Sequence, residues 1–329
     1  MNAASRLNVI YIQQPGAAGE WDEILISSIS RNHNVHVFEP DQPPGPQFES
    51  VDAVVLMGAE NPEPNWVEAA KGAKLWQLIS VGYDDFDVDR VAGAGIPVCH
   101  CPGSTSAPGL AESGILFMLL IVKKYNESQA EMAAGTIHHP MGVELSGKLL
   151  GLIGFGASGR GLADLALGFG MRLAIAEPME IGPEDLEKYK PDYVVQPGQM
   201  ERIFVEADFV SLHLPLTPET RCSIGAELIG RMKPDACLIN LARGDLVDQE
   251  ALFQALLEGR IGGIGTDVHA GVFPDKDHPV FRHPRFYALP HVAGTTMGTV
   301  QRRAEACVEN LDRLASGKPL THVVGPAKV

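Results

Sequence analysis

The run Leu149-Leu-Gly-Leu-Ile-Gly-Phe-Gly-Ala-Ser-Gly159 restricts the fold of this chain more than any other feature. Leu149–Ile153 is a short apolar run that reads as a buried parallel strand. Gly154, Gly156 and Gly159 follow as Gly-x-Gly-x-x-Gly, and residues 162–169 read as a helix. A second apolar strand, Leu173–Ala176, ends in Glu177, 18 residues past the last glycine. Strand, turn, helix, strand and acid in this order form a dinucleotide-binding unit. Gly154 permits the tight turn, Gly156 lets backbone approach a pyrophosphate, and Gly159 allows close helix–strand packing. The N–H groups that open the helix, Ser158 among them, face the phosphates. Glu177 suits the free ribose hydroxyls of NAD. It is followed by Pro178, Met179 and Glu180, with no basic residue to meet the extra phosphate of NADP.

Short apolar runs recur on both sides of this unit. Before it come 9–12, 35–38, 53–57, 75–79 and 97–99. After it come 193–195, 209–212, 237–240, 263–266 and 286–288. Helix-like segments lie between them, so the fold class is α/β with parallel sheets. Residues 41–47 and 58–65 read as loops, and Pro108-Gly109 as part of another. The stretch 111–124 is apolar on nearly all sides and is expected to be a buried helix linking two domains. Asp248 and Gly259 bracket a further helix as N-cap and C-terminal glycine. The last helix is expected over 299–316. At 329 residues the chain suits two domains.

The formal net charge of −15 and the lack of any basic run disfavour nucleic acid and anionic membrane as partners. The longest apolar stretch, 115–122, is too short to span a bilayer. No signal peptide is read at the start of the chain. Five scattered cysteines without a Cys-x-x-Cys pair suggest reduced thiols in the cytoplasm, and no metal site is expected.

Two constellations at strand ends could carry chemistry: Asn240-Leu-Ala-Arg-Gly244 and Leu289-Pro-His-Val-Ala-Gly-Thr-Thr296. Arg243 can bind a carboxylate and polarise a keto oxygen. His291 can exchange a proton with that oxygen. On position alone, Arg243 could equally be a surface ion-pair residue and His291 a satisfied core histidine.

With residues 80–87 (Ser-Val-Gly-Tyr-Asp-Asp-Phe-Asp), 110–112 (Leu-Ala-Glu), 211–221 (Ser-Leu-His-Leu-Pro-Leu-Thr-Pro-Glu-Thr-Arg) and 266–268 (Thr-Asp-Val), these motifs give the chain its family likeness. It resembles the D-isomer-specific 2-hydroxyacid dehydrogenases from Ala53 to Val324. The resemblance implies two Rossmann-like domains with parallel sheets, the NAD domain inserted into a flavodoxin-like substrate domain. The division would be 1–104 with 291–329 for the substrate and 105–290 for the dinucleotide. It also implies roles. Ser80, Val81 and Gly82 would bind a small-molecule carboxylate substrate, Val81 and Gly82 through backbone N–H groups. Arg243 would hold the carboxylate and keto oxygen, and His291 would be the acid/base. Leu214, Pro215 and Thr220 would line the ribose and phosphate path. Asp267, with the backbone of Ala242 and Gly294, would hold the nicotinamide end. A homodimer formed through the NAD domain is implied as well.

The chain departs from the family pattern Asp-Val-Phe-x-x-Glu-Pro. Asp267-Val-His-Ala-Gly-Val272 puts Val272 where the glutamate stands. His291 thereby lacks the carboxylate that would orient it and favour its protonated form. His269, Asp275 and Asp277 are the polar residues nearby in sequence. His138 and His139 occupy a region that in relatives can reach the partner subunit's active site; two exposed loop histidines are the plainer expectation. The expected activity is NAD-dependent interconversion of a small 2-oxoacid and its D-2-hydroxyacid. The alternatives are an oxidoreductase on an atypical substrate that needs no glutamate–histidine pair, and a nucleotide-sensing binding protein on the same scaffold.

Overall fold

Short apolar strands separated by helices must bury both faces of each sheet, and the computed structural model arranges them in two such sheets. It describes residues 5–14, 19–58, 60–271 and 276–325. Val272 and Asp275 lie outside the described residues. The chain divides into two compact units, Met1–Thr105 with Thr296–Val329, and Ser106–Thr295.

The first unit begins with β1 (Asn8–Ile12), α1 (Gly19–Ser30), β2 (Asn34–Phe38), β3 (Ala53–Leu56), α2 (Pro64–Ala69), β4 (Trp76–Leu78), α3 (Val88–Gly93) and β5 (Val98–Cys99). The second unit follows with α4 (Ala107–Val122), α5 (Tyr125–Ala134), β6 (Leu149–Ile153), α6 (Ala157–Gly168), β7 (Arg172–Ala176), α7 (Pro183–Tyr189) and β8 (Tyr193–Val195). It continues through α8 (Glu201–Glu206), β9 (Phe209–Leu212), α9 (Ala226–Gly230), β10 (Cys237–Asn240), α10 (Gln249–Leu257), β11 (Gly263–Thr266) and β12 (Phe286–Ala288). The chain then returns to the first unit as α11 (Met297–Ala315) and β13 (Val323–Val324).

In the first unit the strands run β2-β1-β3-β4-β5, all parallel, with β13 antiparallel on the β5 edge. This is the flavodoxin-like order. Alternate residues of β1 supply its two cores. Val9 and Tyr11 pack with Trp21 and Leu25 of α1 and Val300 and Leu311 of α11. Ile10 and Ile12 pack with Trp66 of α2 and Val91 of α3.

The second unit has the parallel order β8-β7-β6-β9-β10-β11-β12. The sheet order reverses beside β6, so a ligand crevice is expected at the carboxyl ends of β6 and β9.

Most strand limits agree with the sequence reading to within a residue, and the exceptions have local causes. The segment read as a loop around Pro108-Gly109 is helical, because α4 begins at Ala107. Proline fits a first helical turn, where its missing N–H has no intrahelical partner to lose. Pro64 likewise opens α2 inside the loop expected over 58–65. Helix α4 is buried at most positions, but Leu116 is 46 % exposed. Strand β13, only two residues long, carries too short a pattern to be read from sequence. Asp248 does cap α10, accepting from the Ala251 N–H at 3.0 Å, and Gly259 has the positive φ of +71° expected of it.

Candidate active site

The phosphate turn is shaped by its own packing. Gly154 has φ +96°, and a Cβ there would lie 2.6 Å from the His213 carbonyl oxygen. A Cβ at Gly159 would lie 2.6 Å from the Gly154 oxygen. Gly156 differs, since a Cβ there would meet nothing within 4 Å. The protein itself does not need glycine at 156, and the open space fits a ligand approaching the backbone. The N–H groups at the start of α6 lack intrahelical acceptors and are suited to a pyrophosphate.

Glu177 is brought to this turn. Its Oε2 accepts from the Phe155 N–H at 2.7 Å and its Oε1 from the Met179 N–H at 3.2 Å. Ser158 Oγ lies 3.0 Å from His213 Nδ1, and His213 Nε2 lies 2.9 Å from Ser211 Oγ. Burial beneath the turn pushes the His213 pKa down to about 4, so the imidazole is neutral at ordinary pH. Sequence reading placed His213 in a motif but gave it no role. Leu214, Pro215 and Thr220 follow β9, where the Thr220 hydroxyl donates to the Pro215 oxygen at 2.8 Å and shapes the loop.

Arg243, Asp267 and His291 stand after β10, β11 and β12. These strands are parallel neighbours, so all three residues lie on the carboxyl edge of one sheet. Asn240 clamps the first turn. Its Nδ2 donates to the Arg243 oxygen at 2.9 Å, and its Oδ1 accepts from the Ala242 N–H at 3.1 Å. Arg243 itself donates from Nη1 to the Ala242 oxygen at 2.8 Å. Gly244 packs directly on the His269 backbone, where a Cβ would come within 1.9 Å of a carbonyl carbon. The Gly271 N–H donates to Asp245 at 3.0 Å, so the loops after β10 and β11 are stitched together.

Asp267 is 2 % exposed and accepts from the N–H groups of Val292 at 2.8 Å and Ala293 at 3.0 Å. Burial raises its pKa against the pull of these bonds. The carboxylate thus fixes the turn that carries His291. His291 is exposed and has φ +58°, a conformation that a residue with a side chain holds only when its surroundings impose it. Half-buried His269 lies close enough to feel the His291 charge, and burial, the larger effect, also keeps it toward the neutral form. Gly294 packs beside Ser106 and Leu110.

Ser80, Val81 and Gly82 belong to the first unit and follow β4. The Ser80 oxygen accepts from the Cys101 N–H at 2.8 Å, and the Val81 oxygen lies 2.9 Å from His100 Nδ1. His138 and His139 are exposed, and His139 lies 3.4 Å from Glu131. Among the described residues no group of three or more His, Cys, Asp or Glu could hold a metal.

The family model "D-isomer specific 2-hydroxyacid dehydrogenase, NAD binding domain" matches residues 115–293. A glyoxylate reductase of Korarchaeum cryptofilum is 32 % identical, over 89 % of this chain and 90 % of the relative. A hydroxypyruvate reductase of Thermotoga maritima is 33 % identical, over 79 % of this chain and 84 % of the relative. The crystal structure of D-lactate dehydrogenase with NAD+ from Lactobacillus jensenii has a TM-score of 0.81 and is 25 % identical. That match covers 97 % of this chain and 100 % of the other.

Proposed function

The chain belongs to the D-isomer-specific 2-hydroxyacid dehydrogenase family, and on that premise we propose that it reduces a small 2-oxoacid to the D-2-hydroxyacid, and the reverse, with NAD. It is an NAD-dependent oxidoreductase acting on CH–OH donors. The single observation that carries the reading is the display of Arg243 and His291 on one sheet edge, at the ends of strands in the unit that bears the phosphate turn.

NADH, when bound, supplies hydride to the keto carbon. Arg243 holds the anionic substrate and draws electron density toward its keto oxygen. The protonated His291 gives its proton to that oxygen, and the neutral imidazole takes it back in oxidation. Asp267 holds the backbone of the His291 turn, and the same carboxylate and the Ala242 and Gly294 backbone are assigned to the nicotinamide end. Ser158, Gly154, Gly156 and Gly159 are assigned to the pyrophosphate and Glu177 to the ribose. Leu214, Pro215 and Thr220 are assigned to the path between. In the first unit, Ser80 and the N–H groups of Val81 and Gly82 are assigned to the substrate carboxylate. With Val272 in the glutamate's place, His291 works without that partner.

A homodimer through the second unit is part of the proposal. Its support is three exposed apolar side chains, Met132 on α5 and Ile137 and Met141 in the segment after it, which are 75 %, 75 % and 83 % exposed. Five free cysteines support a reducing, cytoplasmic setting. No helix among the described residues is long and apolar enough to cross a membrane.

The test is NADH oxidation by the purified protein with glyoxylate, hydroxypyruvate and pyruvate. Turnover of at least one is the expected outcome. NADH binding without oxidation across a wider set of 2-oxoacids would overturn the activity in favour of a nucleotide-sensing protein.

A further inference from the structure

Phe155, the residue between Gly154 and Gly156, is held by both its backbone groups and by its ring. Its N–H donates to Glu177 Oε2 at 2.7 Å, and its carbonyl oxygen accepts from Arg160 Nη1. The Arg160 Cζ lies 4.7 Å from the centroid of the Phe155 ring. Tyr189 meets the same ring edge-on, with centroids 5.0 Å apart and planes at 86°. Tyr189 ends α7, and Asp185 stands four residues before it, on the same face of that helix. The Asp185 Oδ2 accepts from Arg160 Nη2 at 2.7 Å and from Nε at 3.1 Å. Arg160, on the first turn of α6, thus reaches from α7 to the phosphate turn.

A tie between α6 and α7 needs only the Asp185 pair, and Lys188 supplies another, its Nζ 2.6 Å from Asp164 Oδ1 on α6. The bond to the Phe155 oxygen does something else. The Phe155 carbonyl and the Gly156 N–H belong to one planar trans peptide and point in opposite directions. Fixing the oxygen on Arg160 therefore turns the Gly156 N–H away from the guanidinium. Gly156 is exposed, and a Cβ there would meet nothing within 4 Å, so packing around its own Cα does not set this peptide. Glu177 fixes the preceding peptide in the same manner, through the Phe155 N–H. With Nε and Nη2 on Asp185 and Nη1 on the Phe155 oxygen, the arginine acts on the backbone of the turn.

We propose that Arg160 is a positioning residue for the dinucleotide: anchored by Asp185, it holds the Phe155–Gly156 peptide so that the Gly156 N–H is presented to the pyrophosphate. The cofactor then meets a turn whose orientation is already set, and binding does not have to order it. Arginine suits the task because its planar fork serves a carboxylate and a carbonyl at once. A lysine has one ammonium group, without the fork. The inference rests on the assignment of this turn to the cofactor and adds no direct contact between Arg160 and the cofactor.

Two measurements decide it. In the first, NADH is titrated into the full chain by calorimetry. Arg160→Met should weaken binding by about tenfold or more. Asp185→Asn, which leaves the arginine in place but unanchored, should weaken it severalfold, and Arg160→Lys should recover part of the loss. Gly156→Ala separates presentation of the N–H from general support of the fold. The added methyl group keeps the pyrophosphate from that N–H, so Arg160→Met in the Gly156→Ala background should cost little more. The full loss on top of Gly156→Ala, or wild-type affinity in Arg160→Met, would overturn the proposal. Should Arg160→Met fail to fold, Asp185→Asn takes its place in the same cycle. The second measurement needs no cofactor. The amide nitrogen resonance of Gly156 in the ligand-free chain should shift in Arg160→Met and in Asp185→Asn, and an unmoved resonance would also overturn the proposal. If the unmodified chain binds no NADH, the assignment of the turn to the cofactor fails, while the Gly156 resonance still decides whether Arg160 sets the peptide.

Discussion

The phosphate turn after β6 and the edge at the ends of β10, β11 and β12 lie on the same sheet, yet their residues are held in opposite ways. At the turn, side chains are absorbed by the protein. Glu177 accepts from backbone, and His213 is lodged between two serines. At the edge, side chains do the clamping so that others stay displayed. Asn240 and Asp267 fix the backbone, and His291 is left exposed at positive φ. The contrast teaches that binding a dinucleotide is chiefly a matter of backbone shape, whereas moving a proton and a hydride needs particular side chains presented in particular places.

The largest effect that could break this contrast is at Arg243. Arg243→Ala should lower 2-oxoacid reduction by at least about a hundredfold while leaving the NADH dissociation constant nearly unchanged. A charge-assisted hydrogen bond alone is worth about 1.5–3 kcal/mol, and polarisation of the carbonyl adds to it. Steady-state rates and NADH titration check both halves. Wild-type turnover would mean that the substrate is held elsewhere.

The two glycines of the turn sharpen the comparison further. Gly154→Ala puts a Cβ against the His213 carbonyl at positive φ, and should destabilise the protein by about 2 kcal/mol or more. Gly156→Ala meets open space and should change stability by less than about 1 kcal/mol. It should nonetheless weaken NADH binding at least tenfold. Thermal melts with NADH titrations would show this crossed pattern. Equal stability losses would mean that both glycines serve only the fold.

A smaller effect is pH dependence carried by His213. Its folded pKa of about 4 lies below the unfolded value of about 6.5, so the unfolded chain takes up the proton first. The neutral histidine's contribution is complete above pH 6.5 and is lost as pH falls toward 4. For a partly buried ring this amounts to about 2 kcal/mol. His213→Asn should flatten the denaturation free energy over that window. An unchanged slope would place the acid sensitivity in another group.

The sheets were legible because a buried parallel strand writes itself as a short apolar run, as Leu149–Ile153 and Cys237–Asn240 do. The polar helices were not. The Tyr125–Ala134 helix has no buried residue, and so no apolar stripe to read. The glycine turn was legible because its motif is written within six residues, even though Gly154 is also pressed by the His213 carbonyl. His213 was not, since its partner Ser158 is 55 positions away.

Hydride passes directly to the keto carbon of a 2-oxoacid in the proposed reaction, and His291 protonates the oxygen. The most direct measurement uses NADH deuterated at the transferring position of the nicotinamide, with pyruvate, glyoxylate and hydroxypyruvate offered in turn. Deuterium is expected on the carbinol carbon of the product, and the D enantiomer wherever that carbon is stereogenic. A product without deuterium, an L-hydroxyacid, or no product with any 2-oxoacid would contradict it.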